Sequence, residues 1–142
     1  MRDQMNHIHP VMALAPKAAV TDNTPGVSAW IDRRGFEALT FLLLPGSNAD
    51  VDATFAVTID HADLDDQSDA VAVVEADDLV GTLAKAGFTF ADDNEPRKVG
   101  YVGERRYIRI TVTPTGNAGN MFLSIIALLG HPLLQPTANP PI

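Results

Sequence analysis

Cysteine is absent from the sequence, and cations and aromatic residues are scarce. Without cysteine, the 142 residues cannot form disulfides, thiolate metal sites or a cysteine nucleophile. Ten Lys and Arg side chains face 18 Asp and Glu, which gives a formal net charge of -8. Proteins that bind a phosphate backbone neutralise it with Lys and Arg. We therefore predict no nucleic-acid partner.

Long apolar runs are also lacking. The most apolar segment, MFLSIIALL at residues 121–129, has nine residues, whereas a membrane-spanning helix needs roughly 20. It is typical of a buried strand. Near the N-terminus, VMALAP is weakly similar to an export signal, but Asp3, His7, His9 and Pro10 interrupt it. We predict neither a membrane partner nor export by this segment.

Known catalytic motifs do not occur in the chain. The sequence contains no G-x-S-x-G elbow, no phosphate loop of the type G-x-x-x-x-G-K-[ST], no H-E-x-x-H and no G-x-G-x-x-G. Carboxylates are abundant, but a glycosidase pair depends on their separation in space, which abundance does not give. His131, between Gly130 and Pro132, is expected to fix the exit of the chain from the last strand. We predict a protein that is not an enzyme, with no catalytic residue and no cofactor.

Two segments contain potential metal ligands. HADLDDQSD at residues 61–69 has the acidic density of a calcium loop, but with Asp63 as first ligand, Gln67, Ser68 and Val74 stand where a ligand, glycine and glutamate belong. His7 and His9 lie on one side of an extended segment without a third ligand of obvious spacing. We interpret the first as a solvated acidic loop and the second as part of a flexible arm, and we predict no metal site.

Composition divides the chain into three parts. Residues 1–30 contain Pro10, Pro16 and Pro25 and little periodicity, which predicts an extended N-terminal arm. Residues 31–131 alternate short apolar runs with turn signals and form the predicted β body. Residues 132–142 form a Pro-rich C-terminal tail with an extended or polyproline-like path.

The body has the pattern of antiparallel strands. Strands are predicted at 36–46, at 54–60, early in 69–82, early in 87–96, at 106–114 and at 121–130, with one helical or 3₁₀ turn late in 69–82. The clearest alternation places Ile108, Ile110 and Val112 on one side of a strand. The fold class is therefore predicted as mainly all-β, an antiparallel β sandwich or barrel with one short helical turn and extended terminal arms.

Half of the ten basic residues lie between positions 97 and 109. The alternation places Arg105, Tyr107 and Arg109 on the outward side of a strand and Arg106 on the inward side. One interpretation is pairing within the chain, because residues 50–95 contain thirteen acids and one lysine. The other is a protein–protein contact made by Arg105, Tyr107, Arg109, Arg97 and Lys98, because Arg and Tyr are favoured in interfaces. Both interpretations remain open from the sequence.

Four segments follow one another in the chain: WIDRRGFEALTFLLLPG, VVEADDLVGT, RKVGYVGERRYIRI and IIALLGHP. Together they resemble a family of small structural proteins encoded among the virion genes of tailed bacteriophages and prophages. The resemblance covers roughly residues 30–132. Its motifs mark a fold and provide no catalytic residues.

The resemblance implies a structural component of a virion, and a capsid cement or decoration protein is the expected role. The expected partners are the major capsid protein and other copies of the chain, for example in a trimer, on the outer surface of a capsid after synthesis in the host cytoplasm. A neck or tail component is one alternative. A carbohydrate-binding or receptor-binding β module is another, although Trp30, Tyr101 and Tyr107 are few aromatics for sugar stacking.

Overall fold

The chain folds as a β sandwich of two antiparallel sheets. The computed structural model describes residues 2–141. Met1 and Ile142, the outermost residues of the predicted arm and tail, lie outside the described residues. The mainly-β prediction is confirmed, and of its two forms the sandwich is correct, because the sheets do not close into a barrel.

The first sheet, called sheet A, contains five strands. Their order across the sheet is β1, β11, β4, β9, β7. The bounds are Ile8–Leu14 for β1, Phe36–Asn48 for β4, Leu79–Val80 for β7, Arg97–Tyr101 for β9 and Met121–Pro132 for β11. Sheet A is therefore built around the long pair β4 and β11.

The second sheet, called sheet B, is centred on β10 and β5, which pair from Tyr107 and Ala62 to Thr115 and Thr54. Their bounds are Tyr107–Thr115 and Thr54–Ala62. Four strands of two residues complete the sheet: β2 (Gly26–Val27) and β3 (Ile31–Asp32) on β10, and β6 (Val71–Ala72) and β8 (Phe88–Thr89) on β5. The strand predicted early in 69–82 and the one early in 87–96 are thus only two residues long.

Within residues 2–141, helical structure consists of four short turns. The turn predicted late in 69–82 is α1, Glu75–Asp78, whereas α2, Leu83–Ala86, was not predicted. Thr82 caps α2, because its hydroxyl accepts a hydrogen bond from the Lys85 amide at 3.2 Å. Two 3₁₀ turns occupy Met5–His7 and Phe90–Asp92. None of the helices within residues 2–141 is long and apolar enough to cross a membrane.

The core lies between the two sheets. Ile108, Ile110 and Val112 of β10 have no exposed surface, so the side predicted to face the core does so. Phe41 and Leu43 of β4 meet them from sheet A and are equally buried. Burial of such side chains supplies about 1.5 to 3 kcal/mol each, so this layer holds the sheets together.

The segment predicted as an N-terminal arm contains β1, which pairs antiparallel with β11. Ala13 is buried, and Val11 and Leu14 pack against the core. A second contact follows at Val20, which bridges Met121. Residues 8–14 thus lie along the edge of sheet A.

The C-terminal tail folds back toward the start of the chain. The amide of Leu133 donates to the Gly35 carbonyl at 2.9 Å. Thr137 donates through its amide to the Asn6 carbonyl at 3.1 Å and through its hydroxyl to the Ile8 carbonyl at 2.6 Å. Both ends of the described chain therefore meet at one end of sheet A.

Candidate protein–protein interface

The five residues predicted to form a contact do not lie in one patch. Arg97 and Lys98 belong to β9 of sheet A, Tyr107 and Arg109 belong to β10 of sheet B, and Arg105 lies in the connection between them. The sequence pattern did not reveal β9 as a strand of the other sheet. Each of the five therefore has a different environment.

Arg105 and Arg106 form the arginine–aspartate cluster with Asp32, Asp63, Asp65 and Asp69. Arg106 holds Asp32 with two hydrogen bonds of 2.8 and 2.9 Å, which lower the pKa of that carboxyl. Arg105 Nη1 lies 3.2 Å from Asp69 Oδ2. Pairing with the acidic middle of the chain, one of the two interpretations from sequence, is thus present in this cluster.

Tyr107 lies on the predicted side of β10, with Arg109, but it is covered there. Only 8% of its surface is exposed, because its hydroxyl donates to the Asp65 carboxylate and the Arg106 guanidinium lies 4.7 Å from the ring centroid. The hydrogen bond to Asp65 raises the pKa of the phenol. The first residue of β10 is therefore covered by the arginine–aspartate cluster.

Arg109 does face outward, on sheet B. Its Nη2 lies 3.0 Å from Asp60 Oδ2, directly across from it on β5, and its guanidinium lies 4.6 Å from the centroid of the Trp30 ring. Trp30 is thus covered on one face, and Tyr101 and Tyr107 are buried. These aromatics do not form an open platform for sugar stacking.

The outward side of sheet B, called the polar face, follows the alternation of a half-buried sheet. Its cross-strand pairs are Arg109 with Asp60, Thr111 with Thr58, Thr113 with Ala56 and Thr115 with Thr54. Hydroxyl and charged groups stay solvated there while Val57, Ile59 and Ile110 point inward. This face needs no partner to cover it.

The outward side of sheet A, called the apolar face, is different. One row across the strands joins Met12, Ile126, Leu42 and Lys98. The next joins Pro10, Leu128, Thr40, Gly100 and Val80, and a third joins Ile8, Gly130 and Ala38. Leu44 and Phe122 extend it, with 40% and 41% of their surfaces exposed.

Lys98 is the predicted contact residue that lies on the apolar face. Its side chain is exposed in the same row as Leu42, and within residues 2–141 it forms no salt bridge. Arg97, its neighbour, turns to Asp92 at 2.6 Å and Glu95 at 3.3 Å. Glu37 is the second residue of β4. Among the described residues, the three rows contain no carboxylate.

A sequence signal for this face was present. The runs FLLL at 41–44 and FLSIIALL at 122–129 lack the polar alternation of a sheet with one wet side. A strand with apolar residues on both sides is normally covered on both sides. The strand predicted at 121–129 is confirmed as part of β11. Its missing alternation indicates apolar residues on both sides of the strand.

Two depressions lie side by side on the apolar face. One, of about 490 Å³, is lined by Val80, Lys98 and Gly100. The other, of about 300 Å³, is lined by Ile8, Leu128 and Gly130. Ala38 and Thr40 line both, so the depressions adjoin across β4. Met12, Ile126 and Leu42 form the raised part of the face beside them.

A buried polar link joins the sheets near the arginine–aspartate cluster. The Tyr101 hydroxyl of sheet A lies 2.9 Å from Nδ1 of His61 in sheet B and accepts a hydrogen bond from the Arg105 amide. His61 Nε2 lies 4.0 Å from Asp78 Oδ2. A Cβ at Gly103 would lie 2.5 Å from the Tyr101 hydroxyl, so glycine lets the loop cover this link.

Burial changes the acid–base behaviour of both partners in the link. It lowers the pKa of His61, although the Asp78 charge opposes the change, and it raises the pKa of Tyr101. His61 is 7% exposed and Tyr101 is 2% exposed. The geometry thus joins two sheets, and the reactive atoms face each other rather than an open cleft.

The other histidines are separate from this link. His9 lies in β1 and stacks on Phe36 with 5.4 Å between ring centroids, whereas His7 ends a 3₁₀ turn. Within residues 2–141, no group of three or more His, Asp or Glu side chains is arranged to hold a metal ion. The acids of the 61–69 loop instead accept amide hydrogen bonds, such as Asp63 N–H to Asp69 at 2.9 Å.

No protein-family model matches the sequence, and no curated protein matches it. Solved structures align with the chain at low identity. A structure of infectious bursal disease virus, Gx strain, aligns at 10% identity over 87% of this chain and 32% of that chain, with a TM-score of 0.48.

Two xylanase structures also match. The N-terminal modules of Clostridium thermocellum endo-1,4-β-D-xylanase 10B, complexed with xylohexaose, align at 10% identity over 95% of this chain, with a TM-score of 0.42. A Cellvibrio japonicus xylanase 10C in complex with xylopentaose aligns at 12% identity over 90% of this chain, with the same TM-score. The chain covers 28% of each xylanase chain. It thus spans about a third or less of these three structures.

Proposed function

We propose that this chain is a non-enzymatic structural protein of a bacteriophage virion, a cement or decoration protein bound to the outer surface of the capsid. Its partners are the major capsid protein and other copies of itself. The observation that carries the proposal is the apolar face of sheet A, which includes Leu42, Leu44 and Ile126. The phage assignment itself comes from the four resembling segments within residues 30–132.

The size of the apolar face supports a protein contact. The three rows contain twelve residues, and with about 4.8 Å between strands and about 3.3 Å per residue along them they cover roughly 400 Å². This area is in the range of the largest apolar patch on a typical monomer, and such patches are often functional. Repeated by the symmetry of a shell, even a modest contact of this kind becomes tight through multivalency.

Charge also suits a position outside a capsid. The net charge of -8 gives the chain no attraction to packaged nucleic acid, and the apolar rows are free of carboxylates among the described residues. Lys98 adds one cation to the contact. Arg105, Tyr107, Arg109 and Arg97 already have partners within the chain, and their predicted role in a contact stays a prediction.

The buried link between His61 and Tyr101 fits a structural role better than a catalytic one. His61 and Tyr101 are the pair closest to an acid–base arrangement, and a substrate would have to displace the Gly103 loop to reach them. A structural use, joining β5 to β9, accounts for both residues. Covered aromatics at Trp30 and Tyr107 likewise make a sugar-binding module the weaker alternative.

The first test is quantitative mass spectrometry of purified particles from the source phage or induced prophage. A copy ratio to the major capsid protein near one, or a simple fraction such as one third, supports a capsid coat. A few copies per particle would identify a neck or tail component instead. Absence from the particle would overturn the proposal.

A second test asks which face attaches. Leu42→Arg places a charge on the raised part of the apolar face, and we expect it to weaken binding to purified capsid shells at least tenfold. Thr111→Arg, on the polar face, is the matched control and should bind as the unmodified chain does. Equal binding by both variants would remove the apolar face from the proposal.

A further inference from the structure

The tail presents two leucines to solvent beside the apolar face. Leu133 and Leu134 are 69% and 85% exposed, the two highest values among the large apolar residues described. Hydrogen bonds at Leu133 and Thr137 hold the tail in place. The leucines are therefore fixed on the surface and are poorly placed to reach the core of their own chain.

We propose that Leu133 and Leu134 of one copy dock into the paired depressions on the apolar face of a second copy, at Ala38 and Thr40. The small side chains there leave two adjoining volumes of about 300 and 490 Å³, enough for one leucine each. The raised part of the face, at Leu42 and Ile126, remains free for the capsid. The inference rests on the proposed structural role and divides the apolar face between two partners.

Charge favours a second copy of the chain as the occupant. Residues 133–142 contain no charged side chain. The larger depression is lined by one cation, Lys98, and one carboxylate, Glu37, so an uncharged tail meets no net charge there. Acidic side chains concentrate instead in residues 50–95. A tail-to-face contact thus brings together two parts of an acidic molecule that do not repel each other.

Surface area favours the same occupant. The chain exposes 7947 Å², whereas a compact monomer of 15.2 kDa exposes about 7,100 Å². The surplus, about 800 Å², is close to what one partner contributes to an interface of standard size. A chain that extends its tail over a neighbour would bury surface of this amount.

Symmetry follows from the contact. Because the tail of one copy meets the face of another, the two surfaces are different, and such head-to-tail contacts close into rings when the rotation permits. A ring of three would place three copies around one axis. Face-to-face stacking of two sheets, by contrast, would give a dimer that does not need the tail.

The test uses the purified full chain alone, so that it is independent of capsid binding. Sedimentation velocity of the unmodified protein at tens of micromolar should show a closed oligomer. Leu133→Asp combined with Leu134→Asp should give a monomer, with association weakened about 100-fold. Thr40→Arg should do the same, and Thr58→Arg, on the polar face, is the control expected to remain oligomeric.

Mixing the two monomeric variants decides the geometry. The tail variant retains a good face and Thr40→Arg retains a good tail, so an equimolar mixture should form a one-to-one dimer through the single intact contact. A monomeric unmodified chain, an oligomeric tail variant or a monomeric mixture would each overturn the inference. Circular dichroism confirms that both variants are folded, and capsid binding by Leu42→Arg reports separately on the proposed function.

Discussion

The two sheets of this sandwich are alike on the inside and different on the outside. Both point alternate apolar residues into one core, as Leu43 and Ile110 illustrate. Outside, sheet B has threonines and the Arg109–Asp60 pair, whereas sheet A has Met12, Ile126 and neighbours. Stability explains the shared inside. The outside of sheet A is the basis of the proposed contact.

The largest expected effect comes from removing the edge of sheet A. Deleting residues 1–14 removes β1 and exposes the edge of β11. It also removes the contacts that Val11, Ala13 and Leu14 make with the core. We expect a loss of about 3 to 5 kcal/mol in the free energy of unfolding, measured by urea denaturation. Deleting residues 1–4 is the control. An unchanged midpoint after the longer deletion would support the free arm predicted from the sequence.

Neighbouring leucines on β4 provide the next test. Leu43 is fully buried, so Leu43→Ala should cost about 2 to 5 kcal/mol in the free energy of unfolding. Leu42 points the other way, toward the apolar face, so Leu42→Ala should cost less than about 1 kcal/mol. In capsid binding the order should reverse, provided that both proteins are folded at the assay temperature. The same order in both assays would mean that the apolar face has no partner.

The link between the sheets predicts a dependence of stability on pH. Burial lowers the pKa of His61 from its ordinary 6.5, against the opposing charge of Asp78. As the pH falls below about 6.5, the unfolded chain binds a proton first, so the free energy of unfolding decreases until the lowered pKa is passed. Asp32 and Asp69, whose pKa values are lowered from 3.8, remove further stability only below that value.

Urea midpoints measured between about pH 7 and pH 5 test this order. His61→Gln should abolish the decrease in this range and leave the later loss from the aspartates. Thr58→Ala, on the polar face outside the link, is the control and should leave the profile unchanged. A His61→Gln profile that matches the unmodified chain would mean that the histidine is not buried as described.

The smallest effect is expected on the polar face. Arg109 and Asp60 are each about 30% exposed at the side chain, and such cross-strand pairs contribute about 0.2 to 1 kcal/mol. A double-mutant cycle with Arg109→Ala and Asp60→Ala measures this coupling in the free energy of unfolding. Lys98→Ala on the apolar face should leave stability unchanged. A coupling well above 1 kcal/mol would indicate that the Trp30 contact strengthens the pair.

Local pattern predicted the parts of the fold that local pattern determines. Ile108, Ile110 and Val112 alternate in sequence and are buried in the structure. β1 was not predicted because His9 and Pro10 interrupt its apolar pattern. Its strand conformation depends on long-range pairing with β11. Tyr107 was assigned to the wrong environment because a loop 42 residues away supplies Asp65 to its hydroxyl. Distant partners of this kind are not encoded in periodicity.

The candidate interface was also predicted only in part from the sequence. Basic residues cluster at 97–109 in the sequence, but β9 and β10 belong to different sheets. The arginines that lie near acids form ion pairs within the chain. The runs at 41–44 and 122–129 are apolar at nearly every position. Such runs are readily interpreted as core residues alone. Strands with apolar residues on both sides are normally covered on both sides, and this rule is the basis of the proposed contact.

The separation of acids from the apolar face also governs how the protein behaves before it meets a partner. At neutral pH, the net charge of -8 per chain makes separate molecules repel each other, which opposes unspecific aggregation in a concentrated solution. Near the isoelectric point of about 4.7 that colloidal protection disappears, and precipitation is expected. Added salt screens the repulsion while leaving apolar attraction intact. Acidity thus acts as a solubility device that opposes unspecific aggregation of the apolar faces.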